Sequence, residues 1–91
     1  MGRITFDVPA FLEHFTGGTT NIEVTGSVVG ECLDHFINLF PGAGPLLLDK
    51  SGRLLGHIEL YVNGVSAFPE ELTRPVRGGD RISMLYLIVG G

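Results

Sequence analysis

Ninety-one residues make one small domain with a modest core, and 44% hydrophobic against 18% charged residues describes a packed chain, not a disordered one. Ten acidic residues outnumber six basic ones, leaving a net charge of -4. That balance argues against nucleic acid as the main partner and against an anionic membrane surface, because both require a cationic face.

The single cysteine, Cys32, allows no internal disulfide. No stretch approaches the roughly 20 apolar residues that cross a bilayer. The opening Met1-Gly2-Arg3-Ile4-Thr5-Phe6-Asp7 alternates and holds no signal-peptide core. The expectation is a cytoplasmic protein, one domain over residues 1–91, with no partner among nucleic acids or membranes.

In chain order, Arg3 to Val8 alternates with period two, so Ile4, Phe6 and Val8 face inward on a first strand that Pro9 stops. Ala10 to Phe15 fits a short helical turn or a wide loop, broken by Thr16-Gly17-Gly18. Asn21 to Thr25 alternates again and predicts a second strand, antiparallel to the first.

Gly26-Ser27 opens a helix, with Ser27 placed to cap it and Glu31 and Asp34 towards its positive end. Val29, Cys32, Leu33, Phe36, Ile37 and Phe40 form one apolar stripe at helical spacing, which Pro41-Gly42 ends. Gly30 weakens its first turn.

Leu46-Leu47-Leu48 is a short apolar run with strand character, followed by a turn at Asp49 to Gly52. His57 to Val62 alternates, and Asn63-Gly64 is a tight-turn signal before a short returning strand at Val65 to Phe68. Pro69 to Leu72 predicts a helical turn, Arg77-Gly78-Gly79-Asp80 another turn, and Ile82 to Val89 the last strand. Its Ile82, Met84 and Tyr86 are expected to face the helix.

One helix with one apolar stripe covers one face of one sheet. The class is therefore α+β, two layers, with a mixed sheet of about four to five strands under one main helix. Placing the first and last strands side by side in parallel at the sheet centre buries both best. That arrangement is the β-grasp.

The last strand runs straight into Gly90-Gly91. Glycine has no Cβ, so such a pair enters a slot too narrow for other residues and forms a flexible tail. The Gly91 carboxylate is inert to acyl transfer until activated, and the chain carries no P-loop to activate it. An activating partner is required.

These features together resemble the ubiquitin-like sulfur carriers of molybdopterin, thiamin and cysteine biosynthesis. The resemblance rests on Pro9 with Thr16-Gly17-Gly18, Ile22-Glu23-Val24, the helix from Val28 to Phe40, Tyr61-Val62-Asn63-Gly64, and Gly79-Asp80-Arg81-Ile82-Ser83 running to Gly90-Gly91. Tyr86 to Val89 stand where the family often has prolines, and Gly78 stands where it often has an acidic residue.

The resemblance implies a carrier, not an enzyme. A ubiquitin-activating-type partner adenylates Gly91 with ATP and magnesium, Gly90 threads the tail, and a Gly91 thiocarboxylate passes sulfur to a synthase partner. The carrier itself binds no cofactor. Its docking face is expected on the outer side of the sheet, at Leu85, Leu87, Tyr61 and Val89, with Arg74, Arg77 and Arg81 as nearby charges. Cys32 and His35 share helical i, i+3 spacing but lack further ligands, so no metal site is expected. Two other readings stay open: a protein modifier joined through Gly91 to a lysine, and a β-grasp interaction module with an idle tail.

Overall fold

The computed structural model describes residues 2–87. Five strands form one sheet: β1 (Arg3–Asp7), β2 (Asn21–Thr25), β3 (Ile58–Val62), β4 (Val65–Ser66) and β5 (Arg81–Tyr86), in the order β2-β1-β5-β3-β4. The first and last strands pair in parallel at the centre, Thr5 with Arg81 and Phe6 with Ile82. The other pairings are antiparallel. Helix α1 (Val29–Leu39) packs on one face, so the architecture is the expected α+β one.

Strict alternation in the strands sets the layers. Ile4, Phe6, Val24, Ile58, Leu60, Val62, Ile82 and Met84 are buried on the helix side, and Val29, Cys32, Leu33 and Phe36 meet them from α1. Phe36 stacks on Phe6 with ring centroids 4.4 Å apart, directly beneath the central parallel pair. Burying each such side chain stabilises the fold by about 1.5–3 kcal/mol.

The start of α1 differs from expectation. Ser27 does not accept a cap bond. The Glu31 carboxylate instead accepts both the Ser27 N–H and its Oγ–H, each at 2.7 Å. This is the carboxylate half of a capping box, shifted one residue outward. The Val29 N–H is satisfied by the Arg74 carbonyl at 2.9 Å, so a distant backbone segment caps the helix where a side chain was expected.

That close approach also explains Gly30. A Cβ there would lie 2.9 Å from the Leu72 carbonyl oxygen. Alanine normally improves a helix interior by about 1 kcal/mol over glycine. Here Gly30→Ala is expected to lower stability by about 1 kcal/mol, because the segment at Glu71–Thr73 must be pushed off the helix. Urea denaturation checks it, and a stabilised variant would refute the packing argument.

Three further expectations are corrected. Leu46 and Leu47 are not strand: helix α2 runs Gly44–Leu47 with Pro45 in its first turn, and only Leu48 makes a bridge, to Leu54. The last strand ends at Tyr86, and Ile88, Val89, Gly90 and Gly91 lie outside the described residues. Tyr86 is not covered by the helix. It is 47% exposed at the open end of the inner face.

The turn at Gly78 is also tight against the other end of the chain. A Cβ at Gly78 would lie 2.9 Å from the Gly2 Cα. No side chain fits there without displacing the entry to β1, which accounts for the absence of an acidic residue.

Candidate partner face and the root of the tail

The outer face of the sheet presents Arg3, Thr5 and Asp7 from β1, Ser83 and Leu85 from β5, and Glu59 and Tyr61 from β3. Leu85 sits opposite Glu59 and Tyr61 opposite Ser83, so Leu85 and Tyr61 are diagonal neighbours on one face. Leu85 is 53% exposed, a large apolar side chain in an otherwise polar field. Tyr61 is half-buried and donates its hydroxyl to Glu59 Oε1 at 3.0 Å. That hydrogen bond, with burial and the carboxylate charge adding to it, raises the phenol above its ordinary pKa. The face therefore combines an apolar side chain with a phenol–carboxylate pair beside it.

Leu87 continues past the last ladder pair. Its N–H donates to the His57 carbonyl at 2.7 Å, and it is exposed. Leu87 also borders a depression with Leu54, Leu55, Ile58 and Phe68. Phe68 is 71% exposed and Val65 is exposed beside it, two apolar side chains that the sequence reading did not select. Of the four residues expected on the docking face, Val89 falls outside the described residues, as do Gly90 and Gly91.

The arginines separate. Arg81 donates to the Asp7 carboxylate across the β5–β1 pair, so it ties the central strands and is not a free rim charge. Arg77 is exposed, and Arg74 is half-buried where its carbonyl caps α1. Asp80 organises the turn before β5. It accepts from the Asn63 side-chain amide at 3.0 Å and from the Arg77 N–H at 2.9 Å, which hold its carboxyl below the usual range.

The sign of the pH effect follows. A carboxyl depressed in the folded state contributes stability above its unfolded pKa, and the contribution is lost as pH falls through the folded value. Asp80→Asn is expected to lower stability near neutrality and to flatten the acid limb of the stability profile. Melting temperatures from pH 7 down to about pH 3 test it, and an unchanged acid limb would remove Asp80 from the account.

Cys32 and His35 do not cooperate. Cys32 is fully buried, and burial, with the Glu31 charge adding, pushes its thiol up to about 11. Such a thiol is inert. His35 Nδ1 accepts the Thr25 N–H at 2.9 Å, which stitches α1 to β2. Among the described residues no three metal-ligating side chains stand together.

Three aromatic rings gather at the end of β5. Tyr86 meets Phe11 edge-on at 4.9 Å and His57 edge-on at 4.6 Å. Phe11 comes from the 3-10 helix Ala10–Phe15, which departs from the end of β1. His57 is half-buried.

This sheet order, with its central parallel pair and single covering helix, recurs in solved structures over nearly the whole chain. A chain of the Amycolatopsis orientalis BexX/CysO complex is 29% identical, with a TM-score of 0.86, covering 97% of this chain and 99% of that one. The chain has the ubiquitin-like β-grasp fold. CysO of Mycobacterium tuberculosis is 25% identical with a TM-score of 0.84, covering 93% of this chain and 99% of that one. SAMP1 from Haloferax volcanii superposes with a TM-score of 0.84 at 24% identity, over 99% of this chain and all of that one, a likeness of fold. No family model matches the sequence, and no curated protein matches it.

The resemblance to ubiquitin-like sulfur carriers therefore stands on structure. A further neighbour of the same fold, from Haloferax volcanii, is described as a small archaeal modifier protein. The CysO of the A. orientalis structure is held in a complex with another protein, BexX. No helix among the described residues is long and apolar enough to cross a membrane.

Proposed function

We propose that this chain is a cytoplasmic sulfur carrier. The observation that supports the reading most is the likeness to CysO chains at 29% and 25% identity over nearly the full length of both partners. A central strand that leads towards Gly90-Gly91 adds to it. In this reading a ubiquitin-activating-type enzyme docks on the outer face at Leu85, Tyr61, Leu87 and Val89. It threads Gly90 and adenylates the Gly91 carboxylate with ATP and magnesium.

Sulfide then attacks the acyl-adenylate, displaces AMP and leaves a thiocarboxylate on Gly91. A second partner accepts that sulfur in the synthesis of a cofactor such as molybdopterin or thiamin, or of cysteine. The thiocarboxylate is a stronger nucleophile than the carboxylate, and tethering it to a docked domain raises its effective concentration in the acceptor's pocket. The chain itself binds no cofactor in this scheme. Its part is to dock and to present one group.

The deciding experiment is the intact mass of the protein recovered from its own cells, with fragmentation of the C-terminal peptide. It reads whether Gly91 ends the cellular form and whether one of its oxygens has become sulfur. If source-cell extract supplied with ATP, magnesium and a sulfur donor leaves Gly91 unchanged, the carrier reading fails. A second reading, conjugation through Gly91 to lysines of other proteins, is favoured by the H. volcanii neighbour described as a small archaeal modifier protein. Isopeptide-linked adducts in the same extract identify that case.

A further inference from the structure

We propose that Tyr86 is a positioning residue: clamped between Phe11 and His57, it fixes the end of β5, the strand that precedes Gly91 in the sequence. The assignment rests on the carrier reading above and adds to it a residue that does not lie on the outer docking face.

The clamp has two jaws from different parts of the chain. Phe11 approaches the Tyr86 ring at 4.9 Å with an interplanar angle of 62°, and His57 at 4.6 Å and 60°. Both are edge-to-face arrangements, the favoured geometry for aromatic pairs. The Phe11 jaw is anchored in the fold. Its neighbour Leu12 is fully buried, and the short helix is closed by the Thr16 hydroxyl, which lies 3.1 Å from the Glu13 carbonyl and 2.8 Å from the Thr19 carbonyl. The His57 jaw also holds the next residue, because its carbonyl accepts the Leu87 N–H at 2.7 Å. Ring and backbone are thus gripped at successive positions.

Tyr86 is 47% exposed, so the fold does not depend on it as it does on Phe36. Among the described residues its hydroxyl has no hydrogen-bond partner, so the ring is what the clamp uses. β1 pairs with β5 only at Arg81 and Ile82, which leaves the end of β5 without β1 beside it. Pro9, Ala10 and Phe11 border that side, next to Met84, Leu85 and Tyr86. Without the Tyr86 ring the last turn of β5 has only the β3 ladder to hold it. The end of β5 then loosens from the sheet, and in the carrier reading the Gly91 carboxyl is presented to the partner less closely. Effective concentration falls as a tether lengthens and loosens, although no contact with the partner is lost.

The test measures thiocarboxylate formation by intact mass in source-cell extract with ATP, magnesium and sulfide, varying the concentration of the chain. Tyr86→Ala is expected to lower the maximal rate about five- to tenfold, with half-saturation within about twofold, since the outer face is intact and only positioning is lost. Tyr86→Phe, which keeps the ring, is expected to restore the rate. His57→Ala, which removes one jaw and leaves the backbone carbonyl, is expected to fall between them. In parallel, hydrogen exchange of the Leu87 amide is expected to quicken in Tyr86→Ala and not in Tyr86→Phe.

Equal maximal rates for wild type and Tyr86→Ala overturn the assignment, as does a Tyr86→Phe variant as slow as Tyr86→Ala. A shift in half-saturation alone overturns it as well, because it places Tyr86 in the docking surface. If the wild-type chain is never converted while its Leu87 amide is protected through Tyr86, the carrier reading has failed, and the catalytic purpose of the clamp fails with it.

Discussion

Deleting Gly90 and Gly91 is expected to abolish thiocarboxylate formation and to leave the melting temperature within about 2 °C, a change typical of surface alterations. The two halves of this expectation have separate causes. The core of the described residues closes with Ile82 and Met84 on β5, and its hydrophobic contacts come from β1, β2, β3 and α1. The buried residues of that core run from Ile4 to Met84. The chemistry, in contrast, has no substitute for the terminal carboxyl. Asp and Glu side chains are present, but a side-chain carboxylate on the sheet surface cannot enter a slot shaped for a backbone without Cβ atoms.

Gly90→Val sharpens the point. It keeps the Gly91 carboxyl and places a branched side chain on the threading residue. A loss of about 100-fold is expected, the scale that misplacing a reacting group by about 1 Å produces. Mass spectrometry of chain incubated in extract with ATP, magnesium and sulfide measures both variants. Conversion of the deletion variant at a normal rate would mean that sulfur enters elsewhere, and the carrier reading would be abandoned. Normal conversion of Gly90→Val, with the deletion inactive, would keep the carboxyl and discard the narrow slot.

How much of this was legible in the sequence depends on the physical range of each signal. β1, β2 and β3 were legible because each has one buried face, and burial on one face forces alternation that survives to the structure as rows such as Ile4–Val24 and Leu60–Met84. Asn63-Gly64 was legible because the turn needs positive φ, and the structure has 52° and 81° there. The parallel central pair followed from burial of two apolar strands.

The triplet Leu46 to Leu48 misled because a short apolar run has no period to distinguish strand from helix. The Ser27–Glu31 cap was inverted because composition alone does not tell which side chain donates. The reason for Gly30 lies in Leu72, remote in sequence, and no local rule reaches it. The same holds for the candidate site. Leu85 and Tyr61 share a face by simple strand parity, whereas the Phe11–Tyr86–His57 cluster joins three segments and exists only in the folded chain.

Phe36→Ala is expected to cost about 3–5 kcal/mol, the usual penalty for truncating a buried phenylalanine. Its ring is fully buried, stacks on Phe6 at 4.4 Å and meets Phe40 at 5.3 Å, so two aromatic contacts and a large apolar surface go at once. A domain of this length has a total stability of about 5–15 kcal/mol. At about 4–8 °C per kcal/mol, the melting temperature should fall by roughly 12–40 °C.

The location gives the loss a functional consequence. Phe6 is the β1 partner of Ile82, so the cavity opens under the parallel pair that carries β5 towards the tail. Phe68→Ala is the control of equal chemistry and opposite burial: at 71% exposure it should change stability by no more than about 0.5 kcal/mol. Calorimetry of the two variants separates burial from residue type. A Phe36→Ala loss below about 1 kcal/mol, well under the usual cavity cost, would mean that α1 is not what holds the central strands together, and the launch of β5 would need another explanation.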